Sequence, residues 1–327
     1  MKAVVLQGVG DVEVATVDDP TPGPGEVLVA VRACGICGTD LHIQEGQEGV
    51  LPVTPGHEFS GVVIEVGSGV DNVSVGDSVC ADPNIPCDVC PFCQDGRVNL
   101  CDNYTALGVT RAGAAAEMVV VPARLCVVVP EGVPLEHYAF AEPLSCALHA
   151  MDLVDLAIGQ TMLIYGAGTM GLSMLQLAVK GGAAPVAVVD LNPDKLDLAR
   201  ELGADEVALK ADELSEQKWD VVVDATGVAK AIRDGLKHVR KGGTFLQFGV
   251  ANLDDEVSIS PHWIYDEEIR IIGSVCPADA YRRATQYIAS GRFVVEPLIS
   301  HRVTLEEYSE AIKMFREGKT RKVLVCP

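Results

Sequence analysis

Four cysteines in the first third of the chain have the spacing of a metal site. Cys87, Cys90, Cys93 and Cys101 follow the pattern C-x2-C-x2-C-x7-C within a stretch rich in Pro, Gly and Asp. Four thiolates can surround a zinc ion tetrahedrally with no open position, which is the arrangement of structural zinc sites. The bacterial iron–sulfur run instead ends with a shorter spacer and a Pro after its last Cys. The spacing therefore predicts a structural zinc ion.

A second group of possible metal ligands lies closer to the N-terminus. Cys37 occurs in the segment CGICGTDLH, and His57-Glu58 follows Pro55-Gly56. One Cys, one His and a carboxylate can hold zinc while leaving a position open for exchange, which catalysis requires. Neighbouring side chains of a regular strand point to opposite faces, so His57 and Glu58 reach one metal only if the chain is irregular after Pro55-Gly56.

A glycine-rich turn in the middle of the chain has the form of a dinucleotide-binding fingerprint. The apolar run TMLIY leads into Gly166-Ala-Gly168-Thr-Met-Gly171 and then into an amphipathic stretch. This order of strand, turn and helix brings backbone N–H groups close to a pyrophosphate at the helix N-terminus. The next apolar run ends at Asp190, where a carboxylate binds ribose hydroxyls and repels a 2′-phosphate. The pattern favours NAD over NADP, and Lys195 is placed to reach the same ribose.

Length and charge narrow the class of protein. A chain of 327 residues suggests about two domains. Its formal charge of -21 disfavours nucleic acid and anionic membrane surfaces as partners, and with them a zinc ribbon for nucleic acid. Neither a signal peptide nor a run of about 20 apolar residues is evident, which predicts a soluble cytoplasmic protein without a membrane segment. Its eleven cysteines are then expected to stay reduced.

Two patterns of elements follow each other along the chain. Short β-type runs separated by Gly and Pro extend to about Val129. From Gln160, apolar strands alternate with helical candidates, which predicts an α/β fold with a doubly wound parallel sheet covered on both faces. A final segment with two helix-like stretches and the strand KVLVC is predicted to return to the first domain. The helical candidates between the apolar strands are Met170–Lys180, Pro193–Leu202, Asp212–Gln217 and Val228–Val239.

Several segments taken together resemble one known family. CGICGTDLH, GHEFSGVVIEVGSGV, VGDSV, the four-cysteine stretch, AEPLSCALHA and YGAGTMGL occur in the order of the zinc-containing medium-chain dehydrogenase/reductase family. The chain is most similar to the polyol dehydrogenase branch of that family. The resemblance implies a GroES-like catalytic domain of residues 1–142 and 275–327 with both zinc sites. It also implies a Rossmann NAD-binding domain of residues 143–274.

The resemblance also assigns roles to individual residues. It places the catalytic zinc at Cys37, His57 and Glu58, with Glu142 of AEPLS nearby, and leaves open which of Glu58 and Glu142 binds the zinc directly and which through water. It makes Thr39 and His42 a proton relay. Beyond Asp190 and Lys195, the implied cofactor contacts are Gly166, Gly168, Met170, Gly171, Thr226, Phe248, Gly249, Val250, Ser274, Val275 and Cys276.

The activity implied by the resemblance is hydride transfer from a secondary alcohol of a polyol, or of a related small alcohol, to NAD. A threonine-, butanediol- or formaldehyde-type dehydrogenase on the same scaffold is the alternative, and a catalytically silent nucleotide-binding protein is a more distant one. Sorbitol-type members commonly carry an Arg where this chain has Ser274-Val275-Cys276. The family resemblance further implies two zinc ions per chain and a homotetramer or homodimer.

Overall fold

A computed structural model of the protein describes residues 1–277 and 279–327. The chain divides into two compact units, the first comprising Met1–Ser145 with Ala278–Pro327 and the second comprising Cys146–Pro277. Within the described residues, no helix combines the length and the apolar character needed to cross a membrane.

Seventeen strands and nine α-helices are present in the described residues. The strands are β1 (Lys2–Gly8), β2 (Asp11–Thr16), β3 (Glu26–Gly35), β4 (Glu58–Val66), β5 (Ser78–Ala81), β6 (Asn84–Ile85), β7 (Thr105–Ala106), β8 (Met118–Pro122), β9 (Cys126–Val128), β10 (Met162–Tyr165), β11 (Val186–Val189), β12 (Glu206–Ala208), β13 (Trp219–Asp224), β14 (Val239–Gln247), β15 (Arg270–Gly273), β16 (Ile299–Val303) and β17 (Lys322–Val325). The helices are α1 (Gly38–Gln44), α2 (Pro91–Gln94), α3 (Ala141–Val154), α4 (Thr169–Gly181), α5 (Pro193–Glu201), α6 (Ala229–Gly235), α7 (Pro261–Asp266), α8 (Tyr281–Ala289) and α9 (Tyr308–Arg316).

The main sheet of the first unit brings the beginning and the end of the chain together. Its strand order is β16-β17-β3-β4-β5-β9, with β8 also paired to β3. Gly35 at the end of β3 pairs with Glu58 of antiparallel β4, and on its other side with Leu324 of β17. The apolar residues of these strands form a buried core with α9. The C-terminal strand therefore lies beside the segments that carry Cys37, His57 and Glu58.

The second unit contains a parallel sheet with strand order β12-β11-β10-β13-β14-β15. Strands β10 and β11 are buried at every position, as expected for a sheet covered on both faces. The predicted combination of a GroES-like β-rich domain and a doubly wound parallel-sheet domain is confirmed.

One predicted helix of the second unit is wrong. The segment Asp212–Gln217 forms only a 3₁₀ turn at Ala211–Glu213. The Ser215 backbone N–H donates to the Glu206 carboxylate at 2.9 Å, so this donor is not used in a helical hydrogen bond. The segment therefore forms only a short turn, because a side chain of β12 accepts the backbone N–H that a helix would have used as a hydrogen-bond donor.

Candidate active site

Three of the predicted zinc ligands converge in the first unit. One ligand atom from each of Cys37, His57 and Glu58 can be chosen so that all three lie within 4.8 Å of one another. Cys37 is the residue before α1, His57 precedes β4, and Glu58 is the first residue of β4. Thiolate, imidazole and carboxylate are the donor types that zinc takes in proteins. The donor set thus fits a zinc ion.

Gly56 supplies the irregular backbone that this convergence requires. Its φ of 96° lies in the left-handed region, which a residue with a side chain rarely adopts. A Cβ atom at this position would lie 2.5 Å from the Cys34 sulfur and 2.7 Å from the Ala115 backbone nitrogen. The chain therefore turns at Gly56, and His57 and Glu58 face the same group of ligands despite being neighbours in sequence.

The electrostatics around His57 indicate a site built for a cation. Burial opposes the charged imidazolium, but the Cys37 thiolate together with the Asp40 and Glu142 carboxylates outweighs burial. These groups raise the pKa of His57 well above its usual value. Groups that attract a proton to His57 attract a divalent cation by the same Coulomb term.

Asp40 belongs to this site although the sequence did not single it out. Its carboxylate is almost completely buried. One oxygen accepts the Cys37 backbone N–H at 2.8 Å, and the other lies 3.9 Å from His57 Nδ1. Burial raises the pKa of Asp40, and the nearby His57 opposes that rise. The position of Asp40 three residues after Cys37, at the start of α1, is the sequence signal that could have identified it.

Lys322 is a second residue that sequence reasoning missed. From β17 its ammonium group donates to both carboxylate oxygens of Glu58, at 2.7 and 2.5 Å, and to the Ile36 carbonyl at 3.1 Å. The Lys322 and Glu58 side chains are only 5% and 2% exposed. Glu58 therefore lies at the cluster with its charge already paired by Lys322. A single Lys in the apolar run KVLVC was the only local signal.

The remaining residues predicted for this site lie on two helices. Glu142 is buried in the first turn of α3 and is near enough to influence the pKa of His57. The group of three ligands that meets the 4.8 Å criterion does not include it. Thr39 and His42 are half-buried residues of α1. Residues three apart on a helix share a face, so these two side chains are neighbours on α1.

The four-cysteine stretch forms a second candidate metal centre in the first unit. Sulfur atoms of Cys87, Cys90, Cys93 and Cys101 all lie within 4.8 Å of one another. Backbone N–H groups of the following residues point at the Cys87 sulfur and lower the pKa of its thiol to about 6. Such hydrogen bonds stabilise the thiolate form, which is the form that binds metal. The geometry fits a closed site of four sulfur ligands.

The glycine-rich turn of the second unit has the shape of a phosphate cradle. Gly166 has a φ of 102°, and a Cβ atom on Gly171 would lie 1.8 Å from the Gly166 carbonyl oxygen. A Cβ atom on Gly168 would meet no atom within 4 Å, so the backbone is open on that side. Met170 follows in the first turn of α4, half-buried. An anionic pyrophosphate fits this open helix N-terminus.

Asp190 lies beside this cradle at the carboxyl end of β11. Its two oxygens accept backbone N–H groups from Ala167 and from Asn192, each at 2.8 Å. Capping of α5 is carried out by Asn192, whose side chain accepts the Asp194 N–H at 3.0 Å. Asp190 is therefore fixed against the glycine-rich turn and is not needed as a helix cap. Lys195 lies half-buried on α5.

Asp224 organises the neighbouring strand ends and was also missed by sequence reasoning. This fully buried carboxylate accepts hydrogen bonds from the Thr226 hydroxyl, the Gly227 N–H and the Gln247 amide, at 2.5, 3.0 and 2.8 Å. Its backbone carbonyl accepts the Phe248 and Gly249 N–H groups. A buried Asp at the end of an apolar strand in DVVVDATG was the available signal.

The other predicted cofactor residues lie on segments that leave the same sheet. Phe248 and Val250 follow β14, and Ser274, Val275 and Cys276 follow β15. Val250 and Val275 are exposed, while Phe248, Ser274 and Cys276 are half-buried. The Ser274 N–H donates to the Gln247 carbonyl at 3.1 Å. All five therefore lie beyond the carboxyl ends of parallel strands, where open α/β sheets bind their ligands.

Comparison with known proteins covers both units. Residues 23–131 match the alcohol dehydrogenase GroES-like domain, and residues 169–290 match the zinc-binding dehydrogenase domain. D-arabinitol dehydrogenase 1 of Uromyces fabae is 35% identical over 100% of this chain and 97% of its own length.

Solved structures show the same relationship. A protein from Sinorhizobium meliloti 1021, described as a zinc-binding dehydrogenase and bound to NADP, is 38% identical with a TM-score of 0.96. An alcohol dehydrogenase from Escherichia coli CFT073 complexed with NADH is 28% identical with a TM-score of 0.93. Each alignment covers 100% of this chain and 99% of the other. The predicted family is confirmed: the chain belongs to the zinc-containing medium-chain dehydrogenase/reductase family and is an oxidoreductase of the alcohol dehydrogenase type.

Proposed function

We propose that the protein oxidises a secondary alcohol of a polyol, or of a related small alcohol, with NAD as hydride acceptor. The observation that carries this proposal is the convergence of Cys37, His57 and Glu58 in a chain that also carries a dinucleotide cradle. In this proposal residues 1–142 and 275–327 form the catalytic domain, and residues 143–274 bind NAD. The similarity to D-arabinitol dehydrogenase 1 supports a polyol substrate.

The catalytic residues have distinct roles in this proposal. Cys37 and His57 hold a zinc ion, with Glu58 or Glu142 as a further ligand, and the bound ion supplies Lewis acidity toward the substrate hydroxyl. Thr39 would accept the hydroxyl proton and His42 would receive it, and a bound cofactor would supply the ribose hydroxyl that links the two. Asp40, which belongs to α1, keeps the His57 ring in position. The shared face of Thr39 and His42 on α1 supports this relay.

A second zinc ion belongs in the four-cysteine centre, where its role is structural. Four sulfur donors leave no position for a substrate. The proposal therefore requires two zinc ions in each chain, bound in chemically different sites.

We infer that the protein assembles as a homotetramer or homodimer. Strand β15 is the last strand in its sheet, so one of its edges has no neighbouring strand within the described residues. Ile271 on this strand is 41% exposed, and Tyr265 just before it is 84% exposed. An uncovered edge with apolar side chains favours pairing with another chain. Light scattering that returned a monomer mass at micromolar concentration would contradict this assembly.

A substrate panel tests the reaction directly. We expect D-arabinitol or another polyol to give the highest kcat/KM with NAD, above 2,3-butanediol, L-threonine and ethanol, in protein whose zinc content has been measured. Highest activity with L-threonine or butanediol would assign the protein to that substrate class instead. Absence of activity on every secondary alcohol, in protein with zinc in both sites, would refute the proposed reaction.

Asp190 is expected to decide between NAD and NADP. Its fixed carboxylate repels the 2′-phosphate of NADP. Replacement of Asp190 by a neutral side chain should remove this repulsion and so improve the binding of NADP. We expect Asp190→Asn to raise the ratio of kcat/KM for NADP to that for NAD by about tenfold or more. Asp194→Asn, an equal charge change on the exposed side of α5, is the control and should leave the ratio unchanged. Equal use of both cofactors by the unaltered protein would show that Asp190 does not discriminate.

A further inference from the structure

Three buried polar atoms near the metal-ligand cluster have no hydrogen-bond partner within the described part of the chain. They are Oδ1 of Asp40, Nδ1 of His57 and the hydroxyl oxygen of Tyr308. The three residues are only 1%, 6% and 1% exposed, so bulk water does not reach them. Buried polar groups in folded proteins are nearly always hydrogen-bonded, and a buried tyrosine hydroxyl is no exception. A common explanation for the three atoms is therefore worth seeking.

Tyr308 is placed by the packing of α9 against α1. It is the first residue of α9, and at the far end of this helix Arg316 donates to the Gln44 side chain of α1 at 2.8 Å. Residues eight apart lie on the same stripe of a helix, so Tyr308 and Arg316 face the same side. Tyr308 also belongs to the buried apolar cluster that contains Ile36, just before the first zinc ligand. The helix that carries Asp40 is thus the one that α9 packs on.

The hydroxyl of Tyr308 lies within electrostatic reach of Asp40. Burial raises the pKa of Tyr308 well above its usual value, and the charges of Asp40, Cys34 and Cys37 raise it further. Among these charged groups Asp40 has the largest effect. Neighbouring anions act in this way on a buried phenol only at short range. The phenol therefore keeps its proton and can donate it to a hydrogen bond.

Asp40 has acceptor capacity left for such a donor. Its other oxygen, Oδ2, accepts the Cys37 backbone N–H at 2.8 Å, whereas Oδ1 lies 3.9 Å from His57 Nδ1, beyond hydrogen-bond distance. A carboxylate oxygen can accept two hydrogen bonds. A histidine that binds metal through one ring nitrogen donates its other N–H to a carboxylate or carbonyl, and such a carboxylate is itself hydrogen-bonded. Oδ1 of Asp40 can serve both His57 and Tyr308.

We propose that Tyr308 is a positioning residue for the metal centre, whose hydroxyl donates to Oδ1 of Asp40 and holds this carboxylate where it accepts the His57 Nδ1–H. The inference rests on the proposed zinc centre and deepens it. Tyr308 acts only through Asp40, because donors on both carboxylate oxygens prevent the group from turning away from the imidazole. A ring that is already oriented loses less freedom when it binds a cation, so Tyr308 raises the affinity of the site for zinc.

Tyr308→Phe tests this role, since it removes the hydroxyl and keeps the buried ring. Competition with a chromophoric chelator measures the affinity of the folded protein for each of its zinc ions. We expect the ion held by Cys37 and His57 to bind about tenfold more weakly in Tyr308→Phe, and the ion of the four-cysteine centre to bind as before. The same titration of Cys37→Ser, which keeps only the latter ion, identifies which step belongs to which site.

Two further variants make the result specific. Tyr138→Phe removes another fully buried hydroxyl without a described partner, but one that lies near Cys80, and should leave both zinc affinities unchanged. Asp40→Asn should itself weaken the binding of the first ion, because a neutral amide holds the imidazole less firmly. Adding Tyr308→Phe to Asp40→Asn should cause little further loss, since the group through which the hydroxyl acts is already altered.

The outcomes separate this inference from the proposed function. Unchanged zinc affinity in Tyr308→Phe would overturn the role of Tyr308 while leaving the zinc centre in place. An equal loss in Tyr138→Phe, or a full additional loss when Tyr308→Phe is combined with Asp40→Asn, would also overturn it. Binding of a single zinc ion by the unaltered protein, with the same affinity in Cys37→Ser, would instead refute the proposed reaction centre itself.

Discussion

Cys37→Ser is expected to lower kcat/KM by about 10³-fold or more and to reduce the zinc content from about two ions per chain to about one. A serine hydroxyl stays protonated at neutral pH, so it cannot replace the thiolate as a zinc ligand. Cys37 is also the N-cap residue of α1, with φ and ψ of -120° and 163°. Serine is among the preferred N-cap residues, so the helix should keep its stability. Loss of activity would then report the metal and not unfolding.

Two further cysteine variants make this result specific. Cys93→Ser should also remove one zinc ion, but from the closed four-sulfur centre, and should mainly lower the unfolding temperature. Cys326→Ser, outside both clusters, should retain both ions and full activity. Metal analysis and steady-state kinetics on the same preparations distinguish the three variants. Retention of two zinc ions and normal turnover in Cys37→Ser would exclude the cluster of Cys37, His57 and Glu58 as the reaction centre.

The features predicted best from the sequence are those encoded by residues close together in the chain. The four cysteines span 15 positions and the three fingerprint glycines span six, so their spacing constrains geometry directly. Apolar runs alternating with amphipathic stretches likewise predicted the parallel sheet, because the spacing of apolar residues along the chain reflects the local secondary structure. These predictions needed no knowledge of how distant segments pair.

The arrangement around Glu58 could not be predicted in the same way. Lys322 reaches it only because β17 pairs with β3, which places two residues that are 264 positions apart in contact. The approach of His57 and Glu58 to one point similarly depends on Gly56, where a left-handed φ and the closeness of Cys34 and Ala115 both exclude a side chain. Tertiary packing sets such contacts, and no local sequence pattern in this chain predicts them.

The failed prediction at Asp212–Gln217 has a related cause. A short polar segment has weak helix propensity, so a single competing hydrogen bond can decide its structure. The Glu206 carboxylate supplies that bond to Ser215 from a neighbouring strand. The turn instead places the Asp212 carboxylate 3.7 Å from His238 Nε2.

Lys322→Met is expected to lower the free energy of unfolding by about 3–5 kcal/mol, because it leaves the buried Glu58 carboxylate without its partner. Burial opposes the charged form of Lys322, but the Glu58 carboxylate and the Cys37 thiolate together outweigh burial and raise the pKa of Lys322, so this lysine is charged in the folded protein. Methionine keeps a similar length and apolar stem but provides no donors. Denaturant unfolding, with zinc content measured in each sample, gives the comparison. Lys319→Met, which removes an exposed lysine paired with Glu317, is the control and should change stability little.

A double-mutant cycle separates the ion pair from the shape of the lysine side chain. Glu58→Gln alone leaves Lys322 buried and unpaired, so it should also destabilise the protein. The combined variant removes both charges, and its stability should recover most of the loss, since neither partner is then left charged. Additive losses in the double variant would show that Lys322 acts through packing alone. Reduced zinc content in Lys322→Met alone, which retains Glu58, would instead show that Lys322 influences how Glu58 binds the metal.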